Sequence, residues 1–177
     1  MKKIKVIFLD IDGVLNVIPQ GRDVYGSQFH THLVSNLKSI IDETGAKIVI
    51  SSTWRMSGLI TMVNMWKDRN LPGQIVGITP NIVDDEIQER YYDPEADRGY
   101  EIQQYLEDHN DISSYVIIDD DVDMLPHQKK FFVQTSGNSD HPDCIDIGYG
   151  LTEICANKAI KILNDKKLII VNNIKQN

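Results

Sequence analysis

Short apolar runs recur along the chain and predict the strands of a buried sheet. In the first run, Ile4–Leu9, bulky apolar residues occupy both odd and even positions, which is typical of a strand covered on both faces. Further strands are predicted at Ala46–Ile50, Ile75–Ile78, Tyr115–Ile118 and Phe131–Val133, with an additional edge strand at Leu168–Val171. The segment Asn172–Asn177 is expected to fray.

Apolar residues at helical spacing separate these runs. They predict one helix from Leu33 to Gly45, one through Leu59, Met62, Val63 and Trp66, one over Gly99–Asp108, and one that carries Cys155, Ala159, Ile162 and Leu163 behind a Thr152 N-cap. Strands that alternate with helices predict an α/β fold, an open parallel sheet with helices on both faces. The segments Val17–His30 and Thr79–Asp97 fit neither pattern and are predicted to be loops outside the core.

Length and composition fit one ordinary globular domain over residues 1–177. The chain has 177 residues, of which 41% are apolar and 25% charged. This length is sufficient for one hydrophobic core and too short for two. The apolar runs fall short of the roughly 18 residues of a membrane span, and the first ends too early for a secretory signal. We therefore expect a cytoplasmic protein that does not contact a membrane. Neither Cys144 nor Cys155 has a metal-binding spacing.

The net charge of −8 narrows the range of partners. It opposes strong nonspecific binding to nucleic acid, which requires a basic surface. A phosphorylated small molecule remains compatible with this charge, because a bound cation can reverse the local field. The sequence carries no signal for an oligomeric state.

Two carboxylates follow the first predicted strand. Asp10 and Asp12 are separated by one residue and are followed by Gly13, which permits a sharp turn. Carboxylates this close repel each other unless a cation or a proton separates them. The pair suits a magnesium site in which one aspartate attacks phosphorus and the other transfers a proton. The simpler alternative is an acidic turn after a strand.

The pattern Asp-x-Asp-Gly-Val-Leu at residues 10–15 resembles the first motif of the haloacid dehalogenase (HAD) superfamily, most of whose members are phosphatases. The resemblance extends from Lys5 to about Leu163, with four motifs in the expected order, and implies a Rossmann-like core. It implies that Asp10 is a nucleophile that forms an aspartyl-phosphate. Asp12 would then protonate the leaving oxygen and later activate water.

The second and third motifs would bind the phosphoryl group. The second is a hydroxyl residue at the end of the second strand, where Ser51 and Ser52 compete, because side chains alternate along a strand. We favour Ser52, which lies nearer the turn into the next helix. The third is a basic residue, for which Arg98 stands in the expected place, although many members have lysine there. Arg55 is the alternative.

The fourth motif would complete a site for Mg²⁺, which prefers oxygen ligands. It is an acidic pair, Asp119 and Asp120, directly after the third buried strand. By the resemblance, Asp119 binds the metal together with Asp10 and the backbone carbonyl of Asp12. Asp120 is a second candidate ligand, and Asp123 fits a looser spacing.

A narrower resemblance points to a small-capped HAD subgroup that includes domains of RNA-repair proteins. It rests on SSTWR at 51–55, DRGYEI at 97–102, IIDDDVDM at 117–124 and the Gly-Leu-Thr of 150–152. The intervals 16–45 and 54–97 leave little room for a cap, so we expect an open site with a minimal cap or none. Trp54 and Trp66 are expected to pack against the sheet.

These observations predict a magnesium-dependent phosphatase. Its substrate would be a nucleotide, another phosphorylated small molecule or the end of a nucleic acid. The alternative is a phosphate-binding or scaffolding protein that retains the fold without turnover. A phosphomutase fits less well, because such enzymes need a substantial cap to exclude water.

Overall fold

The computed structural model describes residues 3–17, 21–82, 97–136 and 149–166. In chain order its strands and helices are β1 (Ile4–Leu9), β2 (Arg22–Asp23), β3 (Gly26–Ser27), α1 (Thr31–Thr44), β4 (Lys47–Ile50), α2 (Leu59–Asp68), β5 (Ile75–Ile78), α3 (Asp97–Asp108), β6 (Ile112–Asp119), β7 (Phe132–Gln134) and α4 (Glu153–Asn164). Short 3₁₀ helices cover Thr53–Ser57 and Lys129–Phe131.

A five-stranded parallel sheet in the order β5-β4-β1-β6-β7 organises the molecule. The chain moves outward from β1 to β4 and β5, then returns to β6 and β7 on the other side of β1. Right-handed crossovers that run in opposite directions place their helices on opposite faces. Accordingly α1, α2 and α4 pack on one face and α3 on the other, so the predicted α/β architecture is confirmed.

The central strand β1 is buried on both sides, as its composition predicts. Ile7 and Leu9 face the cluster beneath α1, α2 and α4, whereas Val6 and Phe8 face α3. All four side chains are fully buried. Because burying one such side chain contributes about 1.5–3 kcal/mol, this strand anchors the loop that follows it, which begins with Asp10.

Several element boundaries and one helix face differ from the predictions. α3 begins two residues before Gly99, and β6 begins at Ile112 rather than Tyr115. In α2 the buried residues are Met62, Met65 and Trp66. Leu59 and Val63, which were expected on the buried face, are partly exposed. In this helix, packing selects a face that the spacing of apolar residues alone does not distinguish.

The prediction that Val17–His30 is only a loop is wrong. β2 and β3 form a short antiparallel hairpin, in which Arg22 pairs with Ser27 and Asp23 with Gly26. Strands of two residues are too short to produce an alternating pattern in the sequence. Tertiary contacts stabilise the hairpin instead, since Arg69 at the end of α2 donates two hydrogen bonds to Asp23, at 2.7 and 2.9 Å.

Other predictions fall outside the described residues. These are the edge strand at Leu168–Val171, the frayed segment Asn172–Asn177, Cys144, and most of the segment Thr79–Asp97. Among the described residues, no helix has both the length and the apolar character needed to cross a membrane.

Candidate active site

The carboxyl ends of three neighbouring strands bring the predicted site residues together. Asp10 follows β1, Ser51 and Ser52 follow β4, and Asp119 ends β6. The backbone N–H groups of Asp10 and Ser51 each donate to a carbonyl of the adjacent strand at 3.0 Å, which keeps the three chains in register at this edge. Ligands of open α/β sheets bind at this edge, where the strand order reverses.

Three carboxylates form an acidic cluster at this edge. Asp10, Asp119 and Asp120 each offer an oxygen, and these oxygens lie within 4.8 Å of one another. Asp10 and Asp119 are only 5% and 0% exposed, whereas Asp120 is half-buried. Burial raises the pKa of Asp10, and burial together with the negative charge of Asp10 raises the pKa of Asp119.

Asp119 has one oxygen that suits a cation. Its Oδ1 accepts the backbone N–H of Asp121 at 3.1 Å. Its Oδ2 is buried and makes no hydrogen bond within the described part of the chain, although Arg98 Nε lies 3.1 Å away at an unfavourable angle. A buried oxygen of this kind, beside two further carboxylates, fits a hard divalent cation. The cluster could therefore hold a metal ion.

Arg98, in the first turn of α3, bridges the two buried carboxylates. Its Nη1 donates to Asp10 Oδ1 and to the backbone carbonyl of Ser51, both at 2.8 Å, while its Nε pairs with Asp119. The backbone N–H of Arg98 donates to Asp123 Oδ2 at 3.3 Å. Arg98 thus lowers the pKa of Asp10 and opposes the effect of burial. Asp123 supports the start of α3 and lies outside the acidic cluster.

The other candidate cation, Arg55, is used differently. Its Nη1 donates to the backbone carbonyls of Ser51 and Ser52, both at 3.0 Å, and its Nη2 pairs with Glu101 of α3. Arg55 is buried, and these hydrogen bonds and this ion pair direct it away from the acidic cluster. The structure therefore places Arg98 in the site and Arg55 between the end of β4 and α3.

The two serines also point in different directions. The Ser52 hydroxyl lies beside the Asp10 carboxylate and lowers the pKa of Asp10, and it accepts the backbone N–H of Trp54 at 3.4 Å. The Ser51 hydroxyl is buried and has no hydrogen-bond partner among the described residues. Ser52, the residue that we favoured from the sequence, is therefore the serine whose hydroxyl lies beside Asp10, and its binding of phosphate stays a prediction.

Asp12 lies at the mouth of the site, outside the buried acidic cluster. Its carboxylate is exposed, yet both oxygens accept hydrogen bonds, Oδ1 from Asn16 Nδ2 and Oδ2 from Trp54 Nε1, each at 2.8 Å. Sequence reasoning missed both donors and assigned Trp54 only to packing. The spacing of Asn16, four residues after Asp12, is a local signal, whereas Trp54 is 42 residues away and only the fold brings it close.

Gly13 allows Asp120 to reach the acidic cluster. Its φ of +75° is a conformation that glycine adopts without cost, and a Cβ at this position would lie 2.2 Å from Asp120 Cγ. A side chain at residue 13 would thus occupy the space that the Asp120 carboxylate fills. The glycine of the first motif therefore has a steric role in addition to its conformational one.

The chain is similar to known proteins in sequence and in structure. The sequence model of the family described as "HAD domain in Swiss Army Knife RNA repair proteins" matches residues 6–139. A solved structure from Legionella pneumophila, assigned to the HAD superfamily (subfamily III A) hydrolases, aligns with 91% of this chain and 86% of its own. The two sequences are 16% identical, and the TM-score is 0.37. No curated protein matches the chain.

Proposed function

Because the chain belongs to the family of HAD domains found in Swiss Army Knife RNA repair proteins, we propose that it is a magnesium-dependent phosphomonoesterase that forms an aspartyl-phosphate on Asp10. The observation that carries the proposal is the buried carboxylate of Asp10, held at 2.8 Å by Arg98 beside the hydroxyl of Ser52. A nucleophile, a cation and a hydroxyl donor around one point are the parts that phosphoryl transfer needs.

The reaction proceeds in two displacements at phosphorus. In the first, a carboxylate oxygen of Asp10 bonds to phosphorus while the bond to the leaving oxygen breaks, and Asp12 gives that oxygen a proton. In the second, Asp12 takes a proton from water as the water oxygen attacks the aspartyl-phosphate. Phosphate is released, and both aspartates return to their starting states.

The surrounding groups bind and orient the phosphoryl group. Arg98 fixes Oδ1 of Asp10 and brings a positive charge to the phosphoryl oxygens, and Ser52, which follows the neighbouring strand β4, supplies a hydroxyl. Asp10, Asp119 and Asp120, with the backbone carbonyl of Asp12, would hold Mg²⁺. The cation would neutralise the negative charge of the transferring phosphoryl group.

The proposed substrate class is supported by the small cover that the described residues place over the site and by the family. The hairpin of β2 and β3 is the only insertion after β1 among the described residues, and Asp12 remains exposed beside it. A site that the described residues leave this open would admit a phosphorylated end of a nucleic acid as well as a nucleotide. The net charge of −8 favours contact with the phosphorylated terminus over tracking along a polyanion.

Hydrolysis of an aryl phosphate, with and without Mg²⁺, tests the proposal. The wild type, Asp10→Asn and Asp42→Asn are compared, since Asp42 is an exposed aspartate of α1 that pairs with Lys38 far from the site. We expect Mg²⁺-dependent turnover in the wild type and in Asp42→Asn, and none in Asp10→Asn. Turnover that survives in Asp10→Asn would contradict the mechanism. Phosphate binding without turnover in the wild type would favour a non-catalytic protein.

A further inference from the structure

Asp12 is held by two neutral donors although its carboxylate is exposed. The indole N–H of Trp54 and the amide of Asn16 each donate to a different oxygen at 2.8 Å. We propose that Trp54 is a positioning residue for Asp12, and that the hairpin of β2 and β3 acts on the reaction by keeping the indole in place. The inference rests on the proposed function, in which Asp12 transfers the proton.

The 3₁₀ helix at Thr53–Ser57 holds one side of the Trp54 residue. The backbone N–H of Trp54 donates to Ser52, the residue that also lies beside Asp10. Its ring lies 5.7 Å from the ring of Phe29, centre to centre, in a tilted arrangement. The nucleophile and the proton-transferring group are therefore contacted by two residues of one turn, Ser52 and Trp54.

The hairpin of β2 and β3 packs against the indole ring of Trp54. A Cβ at Gly26 would lie 3.2 Å from the outer edge of the Trp54 ring, so the hairpin backbone rests directly on the indole. Arg69 holds the hairpin through its two hydrogen bonds to Asp23, and its guanidinium lies 5.7 Å from the centre of the Trp54 ring. Hairpin, arginine and indole thus form one packed unit that ends at Asp12.

The packed unit of hairpin, Arg69 and indole holds Asp12 in one orientation, which its two proton transfers require. Asp12 must present the same carboxyl group to a leaving oxygen and then to a water, and an exposed aspartate that is not held would rotate freely. A catalytic group displaced by about 1 Å can cost about 100-fold in rate. Each carboxylate oxygen has a second lone pair, so both donors can stay in place while substrate or water is engaged.

Trp66 provides a matched control for Trp54. Its indole N–H also donates a single hydrogen bond at 2.8 Å, to the backbone carbonyl of Pro72, and its ring also packs near Phe29. Trp54→Phe and Trp66→Phe therefore each remove one indole hydrogen bond and retain an aromatic ring. Only the first of these bonds reaches Asp12.

The two variants are compared on an alkyl phosphate, which needs a proton on its leaving oxygen, and on an aryl phosphate with an acidic leaving group. For Trp54→Phe we expect kcat/KM on the alkyl phosphate, which reports the first displacement, to fall by about 10- to 100-fold, with a much smaller fall in kcat/KM on the aryl phosphate. Trp66→Phe should match the wild type on both. Equal falls on both substrates, or the same fall in Trp66→Phe, would overturn the inference.

A second measurement does not depend on turnover. The chain has two tryptophans, so its ¹H–¹⁵N spectrum has two indole N–H signals, which Trp66→Phe assigns. In Asp12→Ala we expect the Trp54 signal to move upfield and to exchange faster with solvent, while the Trp66 signal stays in place. An unmoved Trp54 signal would refute the contact. An inactive wild type would count against the proposed function, whereas normal kinetics of Trp54→Phe in an active protein would count against this inference alone.

Discussion

Gly13 affects both the backbone conformation after β1 and the position of a candidate metal ligand. Its φ is +75°, and any side chain there would displace the carboxylate of Asp120 from the acidic cluster. Gly45, at the end of α1, provides the comparison, because its φ is +66° and a Cβ there would meet no atom within 4 Å. The two glycines share the conformational requirement and differ in the steric one.

Gly13→Ala should therefore lose both stability and the stabilisation by Mg²⁺, whereas Gly45→Ala should lose only stability. Both substitutions place an alanine at positive φ, at a cost of about 1–2 kcal/mol. Only Gly13→Ala should also abolish stabilisation by Mg²⁺, since it displaces a carboxylate of the cluster. Thermal unfolding with and without Mg²⁺ measures both effects. An equal Mg²⁺ response in the two variants would show that Asp120 does not take part.

Single residues also show what the sequence can and cannot predict. Asp10 and Asp119 could be identified because each directly follows a recognisable buried strand, and parallel strands bring their carboxyl ends together. The contact between Trp54 and Asp12 could not, because it joins side chains 42 positions apart. The choices of Ser52 over Ser51 and of Arg98 over Arg55 were open in the sequence and depend on side-chain directions. The chemical roles of all these residues remain predictions.

At the scale of elements, two arginines connect the start of α3 to the end of β4. Arg98 joins α3 to the carboxylates of the site, whereas Arg55 joins the 3₁₀ helix at Thr53–Ser57 to Glu101. Arg55 and Glu101 are both buried. Their pairing fixes the position of α3 and therefore that of Arg98.

Replacing the two arginines by alanine should affect different properties, catalysis for Arg98 and stability for Arg55. Arg98→Ala should lower kcat by about 100- to 1000-fold, because it removes the cation beside the nucleophile. Arg55→Ala should instead lower the free energy of unfolding by about 3–5 kcal/mol, because it leaves Glu101 buried without its partner. Urea unfolding and steady-state kinetics separate the two effects. The reverse pattern would exchange the roles of the two residues.

The elements themselves were predictable where a periodic pattern is long. α1 ends at Gly45, as its apolar spacing predicts, and the Thr152 side chain caps α4 by accepting the backbone N–H of Cys155. The hairpin of β2 and β3 was missed because it consists of two-residue strands held by Arg69 and the Trp54 ring. Such contacts depend on the finished fold rather than on local sequence.

At the scale of the whole molecule, the fold followed from the alternation of strands and helices and from the handedness of their connections. The family match confirms the resemblance that the motifs indicated. The single domain over residues 1–177 and the cytoplasmic location stay predictions. The same fold gathers buried negative charge at one edge of its sheet, and this charge links stability to pH and to metal.

In the absence of metal, stability should fall as pH rises through the raised pKa values of Asp10 and Asp119. Burial favours the protonated form of each carboxyl in the folded protein, so its stabilising contribution is complete below the unfolded-state pKa and is lost above the folded-state pKa. Asp119→Asn should flatten this dependence. Mg²⁺ should therefore raise Tm more at about pH 8 than at about pH 5.

Thermal unfolding across this pH range, with and without Mg²⁺, measures the effect. Asp42→Asn serves as the control, since Asp42 is exposed and should leave the pH dependence of Tm unchanged. If Asp119→Asn had the same pH dependence as the wild type, the acidic cluster would not be the source of the linkage.

The central claim is that Asp10 forms a covalent bond to phosphorus, and peptide mass spectrometry after acid quenching tests it most directly. Asp12→Asn is incubated with Mg²⁺ and an aryl phosphate, whose leaving group needs no proton, so the adduct forms but its hydrolysis is slowed. We expect one added phosphoryl group on the peptide that contains Asp10, and none when Asp10→Asn is combined with this change. If the wild type hydrolyses the aryl phosphate and Asp12→Asn carries no adduct at Asp10, the account is contradicted.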